Sequence, residues 1–325
     1  MTSFEKSQQL AKNNEFLSDL NSADAGIRKS ANDKLKTWLT TYKRQDGVWR
    51  KVQTPSPVTD ADFVKQANSR DLVVIRDIKP RSAGAVSTNF DTGTMTTGMR
   101  ANSYKIFLHR AWTPKYRIDK AYLVTYDNDL LGLYKDLSLQ DLLANEDLEG
   151  MSMVNTCVGA KSEVNADLGI KQYINAGMTV TPENVAHVVE GLTLSNDNMT
   201  AATAMVHRSF WYRLLTALKA DAYGDNIAEK ALLGNVGALE ESLIGIKFVT
   251  VLDKKLIPAN TMYVFATEDA CGDFVTYGDA EIFTELKDNI WYEFFSHETY
   301  GMSMPYRGCV VRADFGVGEV ESWTE

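Results

Sequence analysis

The stretch Ile244-Gly245-Ile246-Lys247-Phe248-Val249-Thr250-Val251-Leu252 is β-branched and aromatic almost throughout. It is too short for a typical helix and is closed by Lys254, Lys255 and Pro258, so it reads as a largely buried strand. It opens the densest run of strand-like sequence in the chain, residues 243–315. Thr261-Met262-Tyr263-Val264-Phe265-Ala266 and Phe274-Val275-Thr276-Tyr277 follow, separated by Ala270-Cys271-Gly272-Asp273, a turn cluster that suits a hairpin or a short loop. Residues 282–287 and 290–295 are further strands rich in aromatic side chains. Cys309, Val311, Ala313 and Phe315 alternate with Val310, Arg312 and Asp314, the period of a strand with one face buried.

Upstream, the pattern changes. Leu139, Leu142, Leu143, Met151, Val154, Val158 and Leu168 follow an approximate helical stripe and predict a long helix, with a break near Gly150. Thr181-Pro182-Glu183-Asn184 is a helix start, with Thr at the cap and Pro at the first helical position, and Gly191 ends that helix. Met199, Ala202, Val206, Phe210, Leu214 and Ala217 predict another helix, capped by Asn196 or Asp197. Strands are expected over 72–78, 104–112 and 118–126. Between the first two lies a polar segment of Ser, Thr and Gly, residues 81–101, too long for an ordinary loop in a compact domain. A two-stranded hairpin is marginal in water, so it needs another surface to lie on. The first 45 residues carry two short amphipathic helices, around Phe16 and Trp38, followed by the extended Thr54-Pro55-Ser56-Pro57 connector, and they read as an arm without a core of its own.

The 325 residues suffice for a substantial core, and 44% hydrophobic with 24% charged residues is the balance of a globular protein. A net charge of −9 disfavours broad nucleic-acid binding, which leaves a basic footprint. No run approaches the apolar length of a membrane span, and Met1-Thr2-Ser3-Phe4-Glu5-Lys6 lacks the pattern of a signal peptide, so a cytoplasmic product without a membrane partner is expected. Cys157, Cys271 and Cys309 have no paired spacing and read as three buried thiols.

Chemical motifs are few and incomplete. His297-Glu298-Thr299-Tyr300-Gly301 begins like a zinc-protease motif but lacks the second histidine. Gly301-Met302-Ser303-Met304-Pro305 resembles a nucleophile elbow whose last glycine is replaced by Pro305. Asp127-Asn128-Asp129 lacks the later ligands of a calcium loop, and Gly93-Thr94-Met95-Thr96-Thr97-Gly98 lacks the lysine of a phosphate loop. A hydrolase would have to gather Ser303, His297 and Asp314 into one pocket. No catalytic, cofactor or metal residue is therefore assigned. Clustered aromatics such as Phe210-Trp211-Tyr212 and Trp291-Tyr292 read as core or as interface.

The order of segments, with Leu243-Ile244-Gly245-Ile246-Lys247-Phe248-Val249, Ile257-Pro258-Ala259-Asn260-Thr261-Met262-Tyr263-Val264 and Tyr300-Gly301-Met302-Ser303-Met304 leading into Val310-Val311-Arg312-Ala313-Asp314-Phe315, resembles the tailed-bacteriophage major capsid proteins of the Hong Kong 97 type. The resemblance implies an α+β fold with an N-terminal arm over 1–65, an extended β-hairpin loop over 66–117, a peripheral domain over 118–180 whose spine helix runs over about 135–172, an axial domain over 181–278, and strands returning to the peripheral domain over 279–325. It implies a non-enzymatic shell subunit that assembles with itself into pentamers and hexamers of an icosahedral head. A scaffolding protein, a portal and a decoration protein would be its partners, and packaged double-stranded DNA would be held without sequence-specific binding. Its location would be the virion, after assembly in the host cytoplasm. Arg81, Asp91 and Arg100 on the loop are the candidate contacts between subunits. Covalent cross-linking of the kind some members show is not expected, because no lysine lies between Arg81 and Arg100, although Lys79 and Lys105 stand at the base. A bacterial nanocompartment (encapsulin-like) shell shares the fold and is the alternative, followed by the cytoplasmic hydrolase.

Overall fold

The computed structural model describes residues 47–64, 71–78, 102–119, 130–194, 199–220, 245–287 and 290–324, with isolated positions at Asp19, Gly26 and Ser30. Most of the expected arm, the expected loop tip and the 221–243 connection lie outside the described residues.

Two six-stranded sheets organise the described residues. The first is built on a long antiparallel hairpin, β11 (Asp273–Lys287) with β12 (Trp291–Ser303). β1 (Pro55–Val58) lies parallel to β11 on one side. On the other, β3 (Asn102–Trp112) pairs with the Tyr300 half of β12 and β4 (Tyr116–Asp119) with its Trp291 half, and β2 (Leu72–Ile78) pairs antiparallel with β3. The register of β11 against β12 shifts between Tyr277 and Glu281, where Gly278 takes a positive φ of 68°. Such a bulge adds twist, and glycine adopts the conformation without a Cβ clash.

The second sheet runs β14 (Val317–Val320), β7 (Tyr173–Gly177), β13 (Val310–Asp314), β10 (Thr261–Ala266), β8 (Ala201–His207), β9 (Lys247–Val251). Its strands β7 and β13, and β8 and β9, are parallel pairs. One face is covered by α2 (Pro182–Thr193) and α3 (Arg208–Ala220), which bury Val185, Val188, Phe210, Trp211 and Leu214 against Val206, Phe248, Val264 and Val311. The opposite face meets the helix α1 (Leu130–Val158) and the first sheet in a core containing Trp49, Val154, Tyr263, Phe265, Phe274, Tyr300 and Val310. Being covered on both sides explains why every residue of β10 is buried.

Helix α1, at 29 residues or roughly 44 Å, spans both sheets. Near its start, Tyr134 meets Ser296 at 3.0 Å between hydroxyls and packs its ring 4.8 Å from Phe294. In the middle, Asn145 donates to the Tyr300 hydroxyl at 2.7 Å. Near its end, Asn155 accepts from the Tyr263 hydroxyl of β10 at 2.9 Å.

Several sequence-based expectations are corrected. The long helix is continuous through Gly150, because the Trp49 indole lies against that glycine and no room exists for a larger residue: a Cβ there would meet Trp49 Cδ2 at 2.3 Å. The helix also stops at Val158, and Leu168 sits in the turn after the two-residue strand β5 (Val164–Asn165), which pairs with β6 (Ile170–Lys171). The expected helix over 199–217 is strand β8 followed by α3. Residues Thr203 to His207 are all buried between helices and core, so the two-residue period that marks a strand is erased. The cluster at 270–273 closes no hairpin: β10 and β11 belong to different sheets, joined by the short helix α4 (Glu268–Cys271). β13 is buried on both faces, with Val310 in the core beneath α1 and Val311 in the core beneath α2. α2 begins as expected, Thr181 Oγ1 accepting from the Asn184 amide at 3.3 Å, but continues past Gly191 to Thr193 because Trp323 packs on that glycine.

Candidate assembly surfaces

Arg81, Asp91 and Arg100 lie outside the described residues, as do the Asp127-Asn128-Asp129 and Gly93 to Gly98 motifs. The residues nominated for a hydrolase can be placed. His297 and Ser303 lie on the same strand, six positions apart, which separates them by about 20 Å. Asp314 lies on β13 of the other sheet, where it accepts from Thr261 Oγ1 at 2.9 Å and Tyr173 Oη at 2.5 Å. These groups form no triad, since a nucleophile and its base must come within hydrogen-bond reach. Gly301 to Ser303 run within a strand, which removes the strand-turn-helix setting of a nucleophile elbow. His297 and Glu298 point to opposite faces of β12, ending the zinc-protease comparison. Among the described residues, no group of three His, Cys, Asp or Glu is arranged to hold a metal, and no helix is long and apolar enough to cross a membrane.

The inner face of β12 instead carries a structural charge cluster. The Arg50 guanidinium donates through Nε and Nη2 to Glu146 at 2.8 and 2.9 Å, and through Nη2 to Glu298 at 3.2 Å, with all three side chains buried. The 3-10 turn Trp49–Lys51 is thereby fixed to both helix and sheet. Next to it, the Trp49 amide donates to Asp147 at 2.8 Å, and burial pushes the Asp147 carboxyl up to about 6. His109 and Glu149 pair at 2.6 Å, and this hydrogen bond raises the histidine above its ordinary value.

The outer face of the first sheet carries a row of stacked rings. Phe283 stacks on Phe295 at 5.3 Å and on His297 at 5.2 Å, and Trp112 stacks on His297 at 4.6 Å. Lys115 Nζ stands 4.9 Å from the Phe295 ring and the Arg110 guanidinium 5.7 Å from Trp112. Burial, with Arg110 nearby, lowers the His297 pKa. Beyond the row, Glu293 pairs with Arg117, and Lys115 and Lys287 stand at 3.9 and 4.0 Å. Trp112 is 54% and Phe283 40% exposed, whereas Val58, Val74, Ile106, Leu108 and Val275 form a small core with Phe63 and Tyr277 in the same sheet. Trp112 and Phe283, rings stacked on the buried His297 with about half their own surface in water, have the composition of an interface core.

Sequence reading placed aromatics in core or interface without separating them. Phe210 and Trp211 are core, at 0 and 1% exposure, while the adjacent Tyr212 is 52% exposed. The Trp112 row was not foreseen, because its members come from three strands and meet only through the pairing His297 with Trp112 and Phe283 with Phe295.

Comparison with known proteins supplies the architecture. The sequence matches no protein-family model and no curated protein. Among solved structures, the capsid of cyanophage P-SCSP1u aligns with a TM-score of 0.53 at 13% identity, over 79% of this chain and 86% of that one. The mature capsid of bacteriophage PhiM1 aligns at 0.52 with 11% identity, over 82% and 86%. A virus-like particle from Pyrococcus furiosus aligns at 0.50 with 11% identity, over 87% and 98%. A shared arrangement of sheets and helices across four-fifths of the chain, at identities this low, is a likeness of fold: the chain has the Hong Kong 97-type capsid fold of tailed-phage head shells.

Proposed function

We propose that this protein is the major capsid subunit of a tailed bacteriophage, a structural protein that assembles with itself into pentamers and hexamers of an icosahedral head around double-stranded DNA. The observation that carries the reading is the capsid fold extending over most of the chain, together with motif residues Ser303, His297 and Asp314 that stand apart. A net charge of −9 suits a container that encloses DNA without gripping it. In this reading residues 1–65 are the arm and 66–117 the extended loop. The peripheral domain is α1 with β4, β11 and β12 of the first sheet, to which the arm lends β1 and the loop lends β2 and β3, and the second sheet with α2 and α3 is the axial domain, so that of residues 279–325 only the β11–β12 hairpin returns to the periphery. Helix α1 is the spine.

The Trp112–His297–Phe283–Phe295 row is a contact surface for a second copy of the chain, as repeated use of one patch is the economy of a closed shell. Arg81, Asp91 and Arg100 remain candidate contacts on the loop. A scaffolding protein, a portal and a decoration protein are the expected partners.

Electron microscopy of the purified protein, expressed alone and with its neighbouring genes, tests this directly. Shells, tubes or sheets are expected; small oligomers under every condition would overturn it. Analysis of the contents separates a DNA-filled head from a nanocompartment filled with protein cargo. Deleting residues 82–99 should leave a folded subunit that no longer assembles, and loss of the subunit fold would place the loop in the core.

A further inference from the structure

The chain crosses between the two sheets in both directions, and a cysteine stands at each crossing. Leaving β10, it passes through α4 and Gly272 into β11; leaving β12, it passes through the 3-10 turn Arg307–Cys309 into β13. The crossings touch. Gly272, at φ 95°, lies so close to the other strand that a Cβ would meet the Ser303 carbonyl oxygen at 2.2 Å and Pro305 Cδ at 2.5 Å. Cys271 and Cys309 are both 0% exposed and unbridged. Cys271 Sγ lies 3.4 Å from the Ala266 carbonyl oxygen and 3.9 Å from the carbonyl oxygen of Cys309 itself. Cys157, at the end of α1, packs on the rim of the same core.

We propose that Cys271 and Cys309 form an oxidisable clasp, a disulfide that closes across both crossings and fixes one sheet to the other. With Cys271 Sγ already against the backbone of Cys309, side-chain rotation is the movement that brings the two sulfurs to bonding distance. The oxidant is a small disulfide such as oxidised glutathione. One cysteine thiolate attacks it, forming a mixed disulfide and releasing one glutathione thiolate. The second cysteine thiolate then attacks the mixed disulfide, forming the Cys271–Cys309 bond and releasing the second. The two cysteines lose two protons and two electrons, and the oxidant takes them up as two thiols. The neighbouring Cys271 and burial hold Cys309 as a neutral thiol, so closure is slow in the folded chain and fast while the crossings are open during folding. The bond would enclose the β11–β12 hairpin in a loop of 38 positions. The inference stands on the joint between the sheets and is independent of shell assembly.

The test refolds the full chain with oxidised glutathione and, in parallel, with reductant. Expected are a mass loss of about 2 Da, a peptide map joining the Cys271 and Cys309 peptides, one remaining reactive thiol in denaturant, and a thermal midpoint raised by on the order of 5 °C for a loop this long. Cys157→Ser should show the same mass loss and retain no reactive thiol. Three reactive thiols after oxidation, or a map in which Cys157 or a second chain takes the link, would overturn the proposal.

Discussion

Gly150→Ala sets two effects of opposite sign against each other, and the structure decides between them. In the interior of a helix, alanine is favoured over glycine by about 1 kcal/mol. Here the new methyl would lie 2.3 Å from Trp49 Cδ2 and 2.7 Å from Cε2 and Cε3, against an optimal carbon separation of ~3.5–4.0 Å. The indole cannot swing away cheaply. It is 1% exposed, sits edge-on to Phe265 at 6.1 Å, and its residue is tied by the hydrogen bond its backbone amide donates to Asp147 and by the neighbouring Arg50 cluster. Overpacking of this kind costs about 3 kcal/mol, leaving a net loss of about 2 kcal/mol. Trp49→Ala removes the obstruction, itself costing about 3–5 kcal/mol as a large buried side chain. In that background Gly150→Ala should gain about 1 kcal/mol, so the coupling between the two sites is about 3 kcal/mol, well beyond the ~0.5 kcal/mol scatter of independent sites. Urea unfolding of the unassembled subunit, followed by far-ultraviolet circular dichroism, measures all four corners of the cycle. If Gly150→Ala stabilises the otherwise unaltered chain, or if the effects add within that scatter, the docking of residues 47–53 on the helix is not as described.

Asp147 titrates at about 6 in the folded chain against 3.8 as its ordinary value, so between these pH values the folded state holds more protons and stability rises as pH falls. Asp147→Asn, which keeps an acceptor for the Trp49 amide, should raise the unfolding midpoint at pH 7 and converge with the parent below pH 3.8; a constant difference across that range would count against the burial of the carboxyl. The histidines should separate in a nuclear magnetic resonance titration, His109 above and His297 below 6.5, and Glu149→Gln should bring His109 down while leaving His297 where it was. The His109 pair thus supports the fold below pH 6.5 and fades as pH rises through the higher folded value. Replacing Trp112 and Phe283 together by alanine should cost the subunit about 1–2 kcal/mol, the sum of two half-exposed cross-strand pairs, leaving it folded, yet abolish assembly as seen by sedimentation; intact shells from that variant would remove the row from the interface.

Where the sequence alone was decisive, the physics was local. Thr181 and Pro182 define a helix start by a cap and a fixed φ, and the structure starts α2 there. Tyr104, Ile106 and Leu108 face one way along β3, and the last two are buried, because one face of that strand meets a core. The order of helix-rich and strand-rich segments was enough to suggest a capsid fold. What escaped was everything fixed by a second layer. Ala201 to His207 looked helical because both faces of β8 are covered; Gly150 looked like a break because the Trp49 ring that needs it comes from about a hundred residues away; and the cluster after β10 left a hairpin and a short loop equally open because nothing local says that the chain changes sheets. The residues of residues 243–315 determined that strands would form. Only the pairing of β13 with β7 and β10, and of β12 with β3, decided that they belong to two sheets. Strand formation is an affair of neighbouring residues, whereas a sheet is chosen by the partner that buries its face and completes its hydrogen bonds, and that partner is distant in sequence.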